Sequence, residues 1–102
     1  MSTQLEIRQS EKYEGNDWWK WAVWVEGPEE ALDQIDYVEW MLHPTFPNPV
    51  RKCHDRETKY KLETAGWGVF PIRARVWNKD GSNTTLSHYL KLHYEDGREN
   101  TA

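Results

Sequence analysis

Between Trp18 and Gly27 the chain alternates with a period of two. Trp19, Trp21, Val23 and Val25 fall on one side and Lys20, Ala22, Trp24 and Glu26 on the other. Successive side chains of a strand point to opposite faces, so this pattern demands a strand with one face in a core. The apolar face carries two tryptophans, whose bulk one sheet alone cannot cover. A second layer must close over it.

The rest of the chain repeats the theme. Gln4 to Gln9 alternates, with Leu5 and Ile7 on one side. Tyr37 to Leu42 places Val38, Trp40 and Leu42 inward. Val50 to His54 and Lys59 to Glu63 read as short strands, the latter with Tyr60 and Leu62 inward. Phe70, Ile72, Ala74 and Val76 alternate with their neighbours, and Pro71, which lacks an N–H, marks an edge or a strand start. Leu86 to Tyr94 reads as one last long strand, after a turn-rich loop from Asn78 to Asn83. Glu29 to Gln34 has room for one helical turn or a short loop. Seven to eight short strands with turn signals between them predict an all-β, immunoglobulin-like antiparallel β-sandwich. At 102 residues the chain is the size of a single domain, 1–102, with its core over about 4–95 and a frayed tail over 96–102.

Phase also sorts the seven tryptophans. Trp19, Trp21 and Trp40 take core positions. Trp24 lies on the polar phase, where an aromatic either caps the sheet or binds something. Two loops stand apart from the strands. Leu42-His43-Pro44-Thr45-Phe46-Pro47-Asn48-Pro49 is stiffened by three prolines and carries an imidazole, a hydroxyl and an aromatic ring. Ala65-Gly66-Trp67-Gly68-Val69-Phe70 sets a tryptophan between glycines just before a strand. As neighbours in space, the two form an aromatic slot with a hydrogen-bonding floor.

These segments, with Trp21-Ala22-Val23-Trp24-Val25-Glu26-Gly27 and Val38-Glu39-Trp40-Met41 before them, closely resemble the YEATS domain family, and the compact form resembles its prokaryotic branch. The resemblance spans about Trp18 to Tyr94. It implies a reader of acylated lysine, such as acetyl- or crotonyl-lysine, with the flat acyl-amide held between two aromatic rings at one end of the sandwich. On the matching positions, Phe46 and Trp67 are the two rings. Thr45 bonds the acyl-amide and His43 lies beneath it. Gly66 and Gly68 flank the second ring, and Trp24 lines the slot from the neighbouring strand. The chain departs from many relatives in having tryptophan rather than tyrosine at 67, a larger aromatic at 24, and no proline-rich approach between Cys53 and Lys59.

Other chemistries find little support. The net charge of −4 argues against direct nucleic-acid binding, which rests on neutralising phosphates, and permits a basic peptide. Cys53 and His54 are adjacent, so a strand points them apart. His43, Cys53, His54, His88 and His93 match no zinc spacing. Glu29, Glu30, Asp33 and Asp36 read as a solvated acidic loop. The expectation is a binding module without cofactor or catalytic residues. No apolar run is long enough for a membrane helix and no secretory signal is evident, which points to the cytoplasm. The rival reading is an immunoglobulin-like protein–protein interaction domain whose partner docks on a sheet edge or face, with a vestigial or repurposed slot.

Overall fold

The computed structural model describes residues 5–100. β1 (Glu6–Gly15) and β2 (Trp18–Glu26) form a hairpin turned by Asn16 and Asp17. Both turn residues are left-handed, with φ of 55° and 56°, which is the geometry of a two-residue type I′ turn. A single helical turn follows, α1 (Glu29–Asp33), and then β3 (Ile35–Met41), β4 (Val50–Cys53), β5 (Leu62–Gly66), β6 (Pro71–Asn78) and β7 (Asn83–Tyr89). Antiparallel pairing gives one sheet of order β1-β2-β5 and another of order β4-β3-β6-β7. This is a seven-stranded immunoglobulin-like sandwich.

The inward phases are as the alternation predicts. Trp19, Trp21, Val23 and Val25 are buried against Val38 and Trp40 of β3 and Ile72, Ala74 and Val76 of β6, in one apolar cluster. Each large side chain so covered contributes about 1.5–3 kcal/mol. Two of the core indoles also find acceptors. Trp19 Nε1 donates to the His93 carbonyl at 2.7 Å, and Trp40 Nε1 to the Tyr60 carbonyl at 2.9 Å.

The structure departs from the sequence expectations at four places. The first strand continues to Gly15, because the outer face of its sheet is open to water and tolerates the polar run from Ser10 to Glu14; Gln4 lies outside the described residues. The expected strand over Lys59–Glu63 begins only at Leu62. Lys59 and Tyr60 are left-handed, with φ of 58° and 59°, and close a turn through Lys59 N–H to Arg56 O and Tyr60 N–H to Asp55 O. Tyr60 is nonetheless buried, and its hydroxyl donates to Ile35 O at 3.1 Å. The acidic stretch is only partly a solvated loop, since Arg56 pairs with both Glu29 and Asp33.

The fourth departure is the C-terminus. β7 ends at Tyr89, and the chain then runs beside β1. Side chains of β1 stand in for a strand partner: Lys91 N–H donates to Gln9 Oε1 at 3.0 Å, and Gln9 Nε2 to Lys91 O at 2.6 Å. A turn through Gly97 (φ 90°) brings the backbone back. Tyr94 N–H donates to Arg98 O and Asn100 N–H to Leu92 O. Asn100 is only 7% exposed. Residues 96–100 are therefore hydrogen-bonded structure and not a frayed tail; Thr101 and Ala102 lie outside the described residues.

Two predictions test this packing. Trp40→Phe leaves the buried Tyr60 carbonyl unpaired and lowers unfolding free energy by about 1–3 kcal/mol in urea titration, whereas Trp24→Phe on the outer face costs under about 1 kcal/mol. His88 faces Gln9 across the sheets, its Nε2 2.6 Å from Gln9 Oε1, and burial with Lys91 nearby pushes its imidazole pKa below the ordinary value. A folded pKa below the unfolded one makes this contribution complete above about pH 6.5 and lost as pH falls through the folded value. His88→Gln flattens that part of the stability–pH curve.

Candidate functional site

One end of the sandwich carries a cleft of about 430 Å³. Its walls come from three places that the fold brings together. β2 starts there with Trp18. The β3–β4 loop supplies His43, Thr45, Phe46 and Pro47. The segment from β5 into β6 supplies Ala65, Gly66, Trp67, Gly68, Val69 and Phe70. The β2–β5 register sets Gly66 opposite Trp19, so Trp67 leaves the sheet edge at the height of Trp18.

The first loop is held from within and from outside. Leu42 N–H donates to Pro49 O at 2.7 Å and closes its base, while Phe46 N–H donates to His43 O at 3.0 Å in a tight turn. Asn48 takes a left-handed φ of 51° between the two prolines. The Arg51 guanidinium donates to Pro47 O at 3.0 Å and Asn48 O at 3.2 Å, and lies 6.0 Å from the Phe46 ring centroid. Inside the turn, Thr45 N–H donates to His43 Nδ1 at 3.2 Å, and Thr45 Oγ1 is 2.8 Å from the same nitrogen. A backbone N–H only donates, so Nδ1 is the acceptor and the ring proton sits on Nε2. The Thr45 hydroxyl then donates its hydrogen to Nδ1, which leaves its lone pairs for a donor in the cleft.

The rings form a stepped wall. Phe46, half-buried, packs on Phe70 with centroids 5.3 Å apart and stands edge-on to Trp21 at 6.3 Å. Phe70 in turn lies 6.0 Å from the His43 ring. Trp67 is 61% exposed and Trp18 45%. Large aromatic faces left in water beside a cleft mark a recognition surface. Trp67 is tethered through its backbone, because Asn100 Nδ2 donates to the Trp67 carbonyl at 2.7 Å.

Six of the seven residues read from the sequence meet here: His43, Thr45, Phe46, Gly66, Trp67 and Gly68. Trp24 does not. It lies six residues along β2 from Trp18, about 20 Å at strand rise, and its indole N–H donates to Glu26 Oε2 at 3.0 Å on the far part of the outer face. The outward phase of β2 carries two tryptophans, and the one at the cleft is Trp18, at the start of the strand. The missed residue is Trp18, on the same phase as Trp24. The Asn16-Asp17 turn before it places it at the loop end. Asn100 was also missed, because nothing in a polar terminal run announces a buried amide.

Comparison with known proteins identifies the family and the fold. The prokaryotic YEATS domain matches residues 19–91. The Protein AF-9 homolog of Eremothecium gossypii is 37% identical over 86 residues, covering 76% of this chain and 40% of that protein. Human Protein AF-9 is 38% identical over 80 residues, 74% of this chain and 14% of that protein. The chain thus spans well under half the length of these relatives. Among solved structures, the Yaf9 YEATS domain recognising an H3K122suc peptide superposes with a TM-score of 0.64 at 27% identity, covering 94% of this chain and 74% of that one. The Yaf9 YEATS domain bound to H3K27ac gives 0.70 at 24% identity, covering 98% and 82%. The chain belongs to the prokaryotic YEATS domain family.

Proposed function

We propose that the cleft binds the acylated side chain of a lysine on a peptide or protein, and that the domain is a reader and not a catalyst. The observation that carries this is the Thr45 hydroxyl, held by His43 Nδ1 at 2.8 Å with its acceptor side free, on a loop whose Phe46 shares a cleft with exposed Trp67. A neutral acyl-lysine presents a planar amide, one N–H, one carbonyl and an apolar tail. Thr45 accepts from the N–H, and a backbone N–H of the Gly66–Gly68 segment donates to the carbonyl. Trp67 and Phe46 flank the amide plane, each face adding about 0.5–1.5 kcal/mol beyond area burial. Leaving the amide unpaired would cost about 1–3 kcal/mol, so the hydroxyl decides whether a lysine amide or plain hydrocarbon is held. The loop's prolines and its Arg51 clamp order it before binding and reduce the entropy lost. Trp18 extends the aromatic lining towards the rim.

The relatives support the same chemistry, since Yaf9 YEATS domains have been solved with succinylated and acetylated histone H3 peptides. A catalytic reading gains nothing from Cys53 and His54. The Cys53 thiol is 3.7 Å from the Lys61 carbonyl, while the His54 ring lies against Tyr37 with centroids 5.2 Å apart.

Titration of acetyl- and crotonyl-lysine peptides, followed by tryptophan fluorescence and calorimetry, tests the proposal. Binding is expected to perturb Trp67. Trp67→Ala is expected to abolish it while thermal stability stays within a few degrees, and Thr45→Val to weaken it about five- to thirtyfold. Saturating peptide that leaves the fluorescence unchanged would instead favour an interaction domain with a disused slot. Asn100→Ala frees the Trp67 carbonyl from its tether; it is expected to weaken the same peptides severalfold and to raise amide exchange in Gly66–Gly68, with the core strands still protected.

A further inference from the structure

The indole N–H of Trp21 is buried and has no hydrogen-bond acceptor among the described residues. The contrast with its neighbours is sharp, because Trp19 and Trp40 each reach a backbone carbonyl. A donor taken out of water and left unpaired is unfavourable, and folded proteins leave few such groups without a reason.

Its position suggests the reason. A Cβ built on Gly66 would lie 3.7 Å from Trp21 Nε1 and 3.7 Å from Phe46 Cζ. Gly66 and Phe46 both line the cleft. The Trp21 ring also meets Phe70, a third lining residue, edge-on with centroids 5.9 Å apart. The unpaired donor therefore lies just behind the cleft wall, next to the Cβ position of Gly66 and in contact with two further lining rings. Glycine at 66 leaves that position open, although a methyl would make only ordinary contacts there.

We infer that the Trp21 indole N–H, which finds no acceptor among the described residues, is a specificity-determining donor to an oxygen on the acyl tail, so that the cleft favours hydroxyacyl-lysine over hydrocarbon acyl-lysine of equal length. The inference deepens the reader proposal and rests on it. With the lysine amide at Thr45 and between the rings, the atoms beyond the carbonyl point inward towards Phe46, Phe70 and Trp21. A hydrocarbon tail covers the N–H and leaves it unpaired. A tail hydroxyl accepts from it. Sites built to hydrogen-bond a hydroxyl penalise the analogue that lacks one.

The test compares two peptides of one sequence, carrying butyryl-lysine or 3-hydroxybutyryl-lysine, against protein with ¹⁵N-labelled tryptophan. Both are expected to shift the Trp67 indole resonance. Only the hydroxyacyl peptide is expected to move the Trp21 indole proton downfield, and it is expected to bind about five- to tenfold tighter. Replacing Trp21 with 3-benzothienylalanine, in which sulfur takes the place of the N–H at nearly constant shape, is expected to erase that preference and retain butyryl affinity. Gly66→Ala is expected to reduce it by filling the space. An unchanged affinity ratio in the benzothienyl protein, or a stationary Trp21 resonance, overturns the inference while the reader proposal stands. Failure of both peptides to bind brings down both.

Discussion

The pairing of β2 with β5 governs the rest of the molecule. β2 is the middle strand of its sheet, and its inward face carries Trp19 and Trp21 into the core. Those indoles must be covered by β3 and β6, which fixes the inter-sheet packing. The same strand sets Gly66 opposite Trp19. Core burial and the placement of Trp67 thus have one cause. A one-residue slip of β5 would turn Leu62 outward and Glu63 towards the core, and burying that carboxylate unpaired opposes the slip.

From that frame follows a division of labour between the two ends of β2. At its start, Trp18 stays in water beside the loops; at its end, Trp24 leans on Glu26 and Glu26 pairs with Lys59 at 2.8 Å. One end borders the proposed binding cleft and the other closes the sheet over the turn at Lys59. The C-terminal return adds a second support that reaches the site. It is held to β1 through Gln9 and Glu11, and through Asn100 it holds the Trp67 carbonyl. The exposed tryptophan therefore sits on a tethered backbone, which favours binding over collapse into the cleft.

Much of this was legible in the sequence where side-chain period or backbone chemistry speaks directly. Alternation identified the buried faces of β2, β3 and β6 residue by residue. Proline and glycine identified both loops, because those residues have few other uses at such density. Legibility failed where a contact depends on distant chain. Lys59 and Tyr60 look like strand residues, and only the turn from Asp55 makes them left-handed. Trp18 and Trp24 are equivalent by phase, so only the direction of the hairpin tells them apart. Asn100 is polar and terminal, and its burial depends on a carbonyl 33 residues away. Trp21 was correctly read as core, but period says nothing about whether an indole N–H finds an acceptor.

The central claim is that two loops at one end of the sandwich hold a lysine acyl-amide between Trp67 and Phe46. A crystal structure of the domain with an acyl-lysine peptide addresses it most directly. The account predicts the amide plane between those two rings, with its nitrogen within hydrogen-bond distance of Thr45 Oγ1 and its tail directed towards Gly66 and Trp21. A peptide seated on a sheet face, or an acyl group outside the cleft with the Thr45 hydroxyl unengaged, would contradict it.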